Sequence, residues 1–388
     1  MVLSSSEVFT FNIGVGFKGL YLLLTLVLTL VMIKSCILFS VYKQYLLFTT
    51  LLVLFFFGSS FFAYSQSIAF IASGYRAIFW FSVFIISIYF SCFNIKLNSI
   101  LNALALFLFI SSIFSIVQYF MFMFYGYTLT VKLPFQKFDF DPVVLSFHTR
   151  VAGFMNGPSE FGVILATIVP FLLKKSLVER SFIYFICFII VSLAIILTLS
   201  RTAYLAYGFA LLGVFLFYKI NLRYKALFFF LFISFSVCIL LSPVGHYFLF
   251  RFDFSEGYNF SSTQGHAKYA GSAIQAWLSS PYLGVGVGNF EFYAQNEIFN
   301  NNLPAMTHSA YLEFLAEQGF IGFIINILFI IWILKLSFCN IEVFLGYITF
   351  LSGNFTYQVF NCTYNALLLS ICLYSYVQSQ LNKRHLIM

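Results

Sequence analysis

The sequence predicts an all-α polytopic membrane protein with about eleven transmembrane helices (ten to twelve), one large outer loop and one medium outer loop. Of its 388 residues, 62% are hydrophobic and only 8% are charged, whereas soluble domains carry about 25% charged residues. The mean hydropathy is +0.97, and long apolar runs recur along the whole chain. Such a chain cannot cover itself with water-facing surface, so lipid must be its solvent.

Apolar runs that approach the length needed to cross a bilayer, about 17–25 residues, divide the chain into five parts. We expect N-terminal helices in residues 1–123, a medium outer loop in 124–157, central helices in 158–243, a large outer loop in 244–307, and C-terminal helices in 308–388. The candidate spans are 17–33, 45–64, 77–93, 99–123, 158–173, 181–199, 203–218, 226–243, 309–334, 341–357 and 363–378. The polar residues 354–365 between the last two fit either a connecting loop or a re-entrant turn.

Charge predicts the orientation of these helices. One set of connecting segments carries twelve lysines and arginines against only two carboxylates, Glu179 and Glu342. Positively charged loops stay in the cytoplasm, so both long loops and the N-terminus are expected outside. The basic character of the chain therefore reflects membrane topology. No basic cluster interleaved with aromatic residues indicates nucleic-acid binding.

No cofactor and no metal site are expected. The seven cysteines include no CxxC pair, and no His/Cys cluster has ligand spacing. Gly284, Gly286 and Gly288 form GxGxG without a βαβ unit around it, which favours a tight turn over a dinucleotide site. Residues 266–278, just before this turn, have helical periodicity and are expected to lie on the membrane surface.

Two arginines are candidate ligands for a phosphate group. Arg201 stands among apolar residues in LTLSRTAYLAYGF, and an arginine at membrane depth needs an anion or water. It either binds a phosphate-bearing substrate or reaches a lipid headgroup. Arg150 precedes the helix start expected at Pro158, and it is either a second ligand or a solvated cation paired with Asp139 or Asp141.

A histidine and two glutamates mark the start of the helix after the large loop. His308 can titrate near neutral pH and serve as a base, or it can simply cap the helix and contact headgroups. Glu313 is a candidate partner that orients His308. Because an i+5 spacing is poor for direct contact, Glu317 or a loop carboxylate is an equal alternative.

In combination, these segments resemble the O-antigen polymerase and O-antigen ligase superfamily of bacterial envelope glycosyltransferases. The resemblance rests on SRTAYL (200–205), the helix at 266–278, SPYLGVGVGNF (280–290) and HSAYLEFLAEQGFIG (308–322), and it covers about residues 150–335. The block that most resembles the ligases and polymerases is 158–335.

The resemblance implies a multi-pass protein of the bacterial inner membrane whose active site faces the periplasm. It implies an undecaprenyl pyrophosphate-linked oligosaccharide as donor, contact with membrane lipid, a chain-length regulator protein as a possible partner, and no nucleotide sugar. A sugar hydroxyl would attack the anomeric carbon while the lipid pyrophosphate leaves. The residues assigned to catalysis are His308, Arg201 and Glu313; those assigned to binding pyrophosphate or glycan are Arg150, Arg201, Arg251 and His266.

The motifs leave polymerase and ligase open. The ligase patterns His-[Asn/Ser/Gln]-x9-Gly and Arg-x3-Leu are matched at His308 and Arg201, but the Thr pair expected next is replaced by Gly322 and Phe323. The polymerase pattern Arg-x10-Gly is missed by one residue, since the glycine after Arg150 falls at Gly162. We favour a polymerase because envelope polymerases are often this divergent, Phe-rich and about this long. A flippase, the alternative from another class, would predict internal repeats and short loops on both faces.

Overall fold

A computed structural model of the chain describes residues 40–126, 143–145, 148–155, 157–219, 257–299, 306–357, 360 and 363–385. Within these residues the fold is helical apart from one small antiparallel hairpin, in which Val143–Leu145 pairs with His148–Arg150. Each strand of this hairpin has only three residues, so the described part of the chain keeps the predicted all-α fold class. The α-helices are α1 (Ser40–Ser60), α2 (Gln66–Cys92), α3 (Leu97–Tyr125), α4 (Pro158–Leu173), α5 (Phe182–Leu197), α6 (Arg201–Phe217), α7 (Gly257–Ser279), α8 (Phe290–Tyr293), α9 (Ala310–Ser337), α10 (Ile341–Gly353) and α11 (Thr363–His385).

The described helices confirm a multi-pass membrane protein. Five of them are long and apolar enough to cross a bilayer: Val41–Ser60, Gln66–Cys92, Leu97–Tyr125, Pro158–Val178 and Ala310–Ser337. The fourth is α4 extended by a π-helical turn, Lys174–Val178. The predicted spans at 17–33 and 226–243 lie outside the described residues, so the predicted number of helices stays a prediction.

Helix α4 forms the centre of the bundle, and all but one of its side chains are buried. It begins with Pro158, which suits the first turn because its missing N–H needs no partner there. Small residues let its neighbours approach closely, as is common between membrane helices. A Cβ on Gly162 would lie 2.3 Å from that of Ala203 on α6, and a Cβ on Gly346 of α10 would lie 2.8 Å from the Thr167 carbonyl.

The predicted helix at 309–334 is interrupted. In α9, Gly319 has φ 62° and ψ −167°, so two helical pieces meet at a break. No proline at this point in the sequence predicts it. The turn 281–288 lies in this break. Val285 and Gly286 donate N–H groups to the carbonyls of Ala316 and Glu317, each at 2.9 Å.

The same glycine turn also contacts the connection between α1 and α2. Tyr64 donates its N–H to the Val285 carbonyl at 2.9 Å. The Asn289 side chain accepts from the Ser65 N–H at 3.0 Å and donates to the Ser65 carbonyl at 3.2 Å. The GxGxG segment is therefore a turn, as predicted. Its contacts with α9 and with the connection between α1 and α2 were not predicted.

Candidate functional site

A cavity of about 470 Å³ lies where α6 and α9 begin, beside α7 and the turn that follows α10. Four separate stretches of chain supply its walls. The lining residues are Arg201, Thr202, Leu205, His266, Ala270, Thr307, His308, Ser309, Leu312, Phe355 and Thr356. The structure thus brings together three of the predicted site residues, Arg201, His266 and His308, which are up to 107 positions apart in the sequence.

His308 occupies a constrained position just before α9. Its φ is 52°, in the left-handed region that non-glycine residues rarely adopt. The hydroxyl of Thr307 donates to the carbonyl of Ser309 at 2.9 Å, and the hydroxyl of Ser309 accepts from the Leu312 N–H as the helix cap. These bonds on both sides of His308 hold a backbone conformation that the residue would otherwise avoid.

The His308 ring contacts two rings of α7. Its centroid lies 4.1 Å from that of His266 and 5.7 Å from that of Tyr269. Burial lowers the pKa of His308 below 6.5, because desolvation disfavours the imidazolium. A neutral imidazole at this position is able to accept a proton at neutral pH.

Arg201 is the first residue of α6 and is half-buried at the cavity wall. Ser200 caps the helix by accepting from the Ala203 N–H at 3.4 Å. The neighbouring Thr202 accepts a hydrogen bond of 2.8 Å from the hydroxyl of Thr356. Arg201 is therefore fixed between a helix cap and the turn after α10, and it offers a permanent positive charge to the cavity.

Arg150 is buried and lies behind the cavity wall. Its Nε donates to the Thr198 carbonyl at 3.1 Å, and Nη2 lies 3.4 Å from the Ser159 hydroxyl. Ser159 in turn accepts from Ser200 at 2.9 Å. One chain of hydrogen bonds thus connects Arg150 to the residue before Arg201. The described contacts place Arg150 next to the turn that carries Arg201.

Glu313 and Glu317 both bind Arg76 of α2. The Arg76 Nη2 atom lies 2.9 Å from Oε1 of Glu313 and 2.6 Å from Oε2 of Glu317. The glutamates therefore contact α2 rather than the cavity, whose lining residue on this turn is Leu312. Our sequence reasoning missed Arg76. The predicted span began at 77, one residue after this arginine, whereas α2 begins at Gln66 and buries Arg76 within the helix.

Arg251, the remaining predicted ligand, lies outside the described residues, as do Asp139 and Asp141. Within the described part of the chain, no group of three or more His, Cys, Asp or Glu side chains is arranged to hold a metal ion. The chemistry open to the cavity is therefore built from a guanidinium, two imidazoles and several hydroxyl groups.

One comparison with known proteins bears on this site. Residues 186–327 match the family model described as O-antigen ligase. No curated protein sequence matches the chain. The matched region begins within α5 and ends within α9, so it contains Arg201, His266 and His308 together with the glycine turn. The match confirms, through this region, the predicted resemblance to the O-antigen ligase and polymerase superfamily.

Proposed function

We propose that this chain is an envelope polysaccharide polymerase, a glycosyltransferase that joins repeat units carried on undecaprenyl pyrophosphate. The observation that carries the proposal is the cavity where Arg201, His266 and His308 meet, within the region that matches the O-antigen ligase family. The proposed location is the bacterial inner membrane, with the cavity open to the periplasm, as the charge asymmetry of the loops predicts.

In the proposed reaction, an acceptor sugar hydroxyl attacks the anomeric carbon of the donor glycan. The new glycosidic bond forms while the bond from that carbon to the pyrophosphate oxygen breaks. His308 takes the hydroxyl proton, which its neutral state at pH 7 allows. Arg201 neutralises the charge that gathers on the leaving pyrophosphate, because a guanidinium binds two phosphate oxygens at once and stays protonated.

The other predicted residues support this reaction in different ways. His266 contacts His308 and lines the glycan side of the cavity. Arg150 adds positive charge behind Ser159 and Ser200, next to the turn that carries Arg201. The roles of Arg251 and of a chain-length regulator stay predictions. Because Glu313 binds Arg76, the proposal gives it no direct contact with His308.

The walls of the cavity suit a ligand that is partly sugar and partly lipid. Leu205, Ala270 and Leu312 contribute apolar lining, which we assign to the first isoprene units of the carrier. Phe355 also lines the cavity with 63% of its surface exposed, and its ring lies 4.6 Å from that of Tyr311. We assign this exposed ring to the face of a sugar.

A ligase is the second candidate, and two observations favour it. The matching family model is described as O-antigen ligase, and Arg201 with Leu205 fits the ligase pattern. In that reaction the same donor would be cleaved, and the acceptor hydroxyl would belong to lipid A core.

Lipopolysaccharide gels of the native host separate these functions. Arg201→Lys and His308→Ala are compared with Lys268→Gln, a control on the same helix as His266 whose side chain is exposed and lies outside the cavity lining. Loss of the ladder, leaving core plus one repeat, indicates a polymerase. Bare core with accumulated lipid-linked polymer indicates a ligase. Normal ladders in both site variants would refute the proposed site.

A further inference from the structure

An ion triad outside the cavity connects α2 to the first part of α9. Arg76, Glu313 and Glu317 have 9%, 5% and 4% of their surfaces exposed, and all three lie in helices that are long and apolar enough to cross a bilayer. Charges in such a place are stable only when they pair and form hydrogen bonds. Nη2 of the guanidinium donates a hydrogen bond to each carboxylate. The guanidinium carbon lies 5.8 Å from the centre of the Phe56 ring.

The helical piece that carries the two glutamates is short. It begins at Ala310, after the left-handed His308, and it ends at the break at Gly319. Because of this break, the long remainder of α9 does not set the orientation of the piece. Contacts from neighbouring elements must set it, and they include the triad and the two hydrogen bonds that Val285 and Gly286 donate.

The triad is suited to fix rotation of this piece about its own axis. Glu313 and Glu317 are i and i+4 neighbours, so both stand on one face and reach the same guanidinium. Leu312, one position before Glu313, lines the cavity, and so do His308 and Ser309, the two residues that directly precede the piece. Any rotation that separates the glutamates from Arg76 moves His308 relative to Arg201.

We propose that Arg76 is a positioning residue that holds the 310–318 piece in the rotation that directs His308 into the cavity. This inference rests on the proposed function for its catalytic meaning. The geometric part stands independently, because the exposure of position 308 is measurable without any reaction.

The test measures labelling of His308→Cys by a membrane-impermeant maleimide, in a full-length chain whose seven native cysteines are replaced by alanine. Adding Arg76→Gln is expected to raise the labelling rate at position 308 severalfold. Labelling of Leu278→Cys, which is exposed on α7, is expected to stay unchanged. Lys96→Gln, an exposed residue before α3, is the matched charge control and should alter neither rate.

The same substitution is then made with His308 intact. A misplaced base is expected to lower the rate of glycosyl transfer by about 100-fold while leaving donor binding in place. Glu313→Gln keeps an oxygen acceptor but loses its charge. It gives a second, milder variant if Arg76→Gln does not accumulate in the membrane, and it should shift labelling in the same direction.

Three results would overturn the inference. Labelling at position 308 that does not change would show that the triad does not set this turn. Parallel increases at positions 308 and 278 would show general loosening of the fold. A normal rate of transfer in Arg76→Gln, where His308→Ala abolishes transfer, would show that the position of His308 does not depend on Arg76. Failure of the proposed function alone would appear differently, as normal activity in His308→Ala with the labelling difference retained.

Discussion

Replacing Gly319 with alanine should test the docking of the glycine turn most directly. With φ 62° and ψ −167°, Gly319 lies in a region of backbone conformation that is essentially limited to glycine, and a side chain there costs about 1–3 kcal/mol. The added Cβ would also lie 2.4 Å from the carbonyl carbon and oxygen of Tyr282. These are backbone atoms, so the clash is relieved only if the turn moves away from α9.

Moving the turn disrupts further contacts. The N–H of Phe320 donates to the Pro281 carbonyl at 2.8 Å, and that of Ile321 donates to the Tyr282 carbonyl at 3.2 Å. Each such bond contributes about 1 kcal/mol net, so the total destabilisation is about 3–5 kcal/mol. Using about 2.1 cal/mol/K of unfolding entropy per residue for 388 residues, the melting temperature should fall by about 4–6 °C.

The assay is thermal unfolding of the purified protein in detergent, followed by tryptophan fluorescence. Gly271→Ala is the matched control, because Gly271 is exposed within α7 and no atom lies within 4 Å of an added Cβ. Alanine is favoured over glycine inside a helix by about 0.5–1 kcal/mol, so this variant should melt at or slightly above the parent. If Gly319→Ala had the same melting temperature as Gly271→Ala, the turn would not be docked in the break.

Four further predictions concern the cavity. Burial lowers the pKa of His308, so its neutral form persists below pH 6.5. The acidic limb of the kcat/KM profile, which reports the free enzyme, should therefore lie below that pH and vanish in His308→Gln. Because the pKa of His308 is lower in the folded chain than in the unfolded chain, the unfolded chain binds this proton first as the pH falls, and the folded state loses stability. Replacing His308 should therefore reduce the change in melting temperature between pH 7 and 5. Arg201→Lys keeps the charge but loses the planar fork, so kcat measured with lipid-linked donor should fall by about 100-fold or more. Phe355→Leu should raise the acceptor KM with little change in kcat, whereas Phe338→Leu, which changes a similarly exposed ring at the far end of α9, should alter neither.

The helices were predictable because lipid imposes their length. The runs expected at 99–123, 181–199 and 203–218 are close to the helices found at Leu97–Tyr125, Phe182–Leu197 and Arg201–Phe217. Their bounds differ by a few residues because polar residues at helix ends, such as the cap Ser200, extend or end a helix without adding hydrophobicity.

The contacts between distant segments were not predictable in the same way. Arg76 and Glu313 are 237 positions apart, and no local periodicity connects them. The sequence indicated that Glu313 and Glu317 share a face, yet it gave no sign of which neighbour that face meets. The break at Gly319 was hidden for a related reason, since a glycine within an apolar run is compatible with an unbroken membrane helix.

The residues that line the cavity come from two parts of the chain, one inside and one outside the region that matches the family. We expect selectivity among sugars to depend on the part outside it. Arg201, His266 and His308 all lie within residues 186–327, which match the O-antigen ligase family. The two lining residues beyond that region are Phe355 and Thr356. Groups that act on pyrophosphate and on a hydroxyl proton serve any sugar, because those atoms are common to every such donor and acceptor. Discrimination among sugars requires contacts with the sugar itself, and under the proposed function the exposed ring of Phe355 makes one of them. Exchanging this turn should therefore alter which acceptor is extended before it alters the rate of bond cleavage.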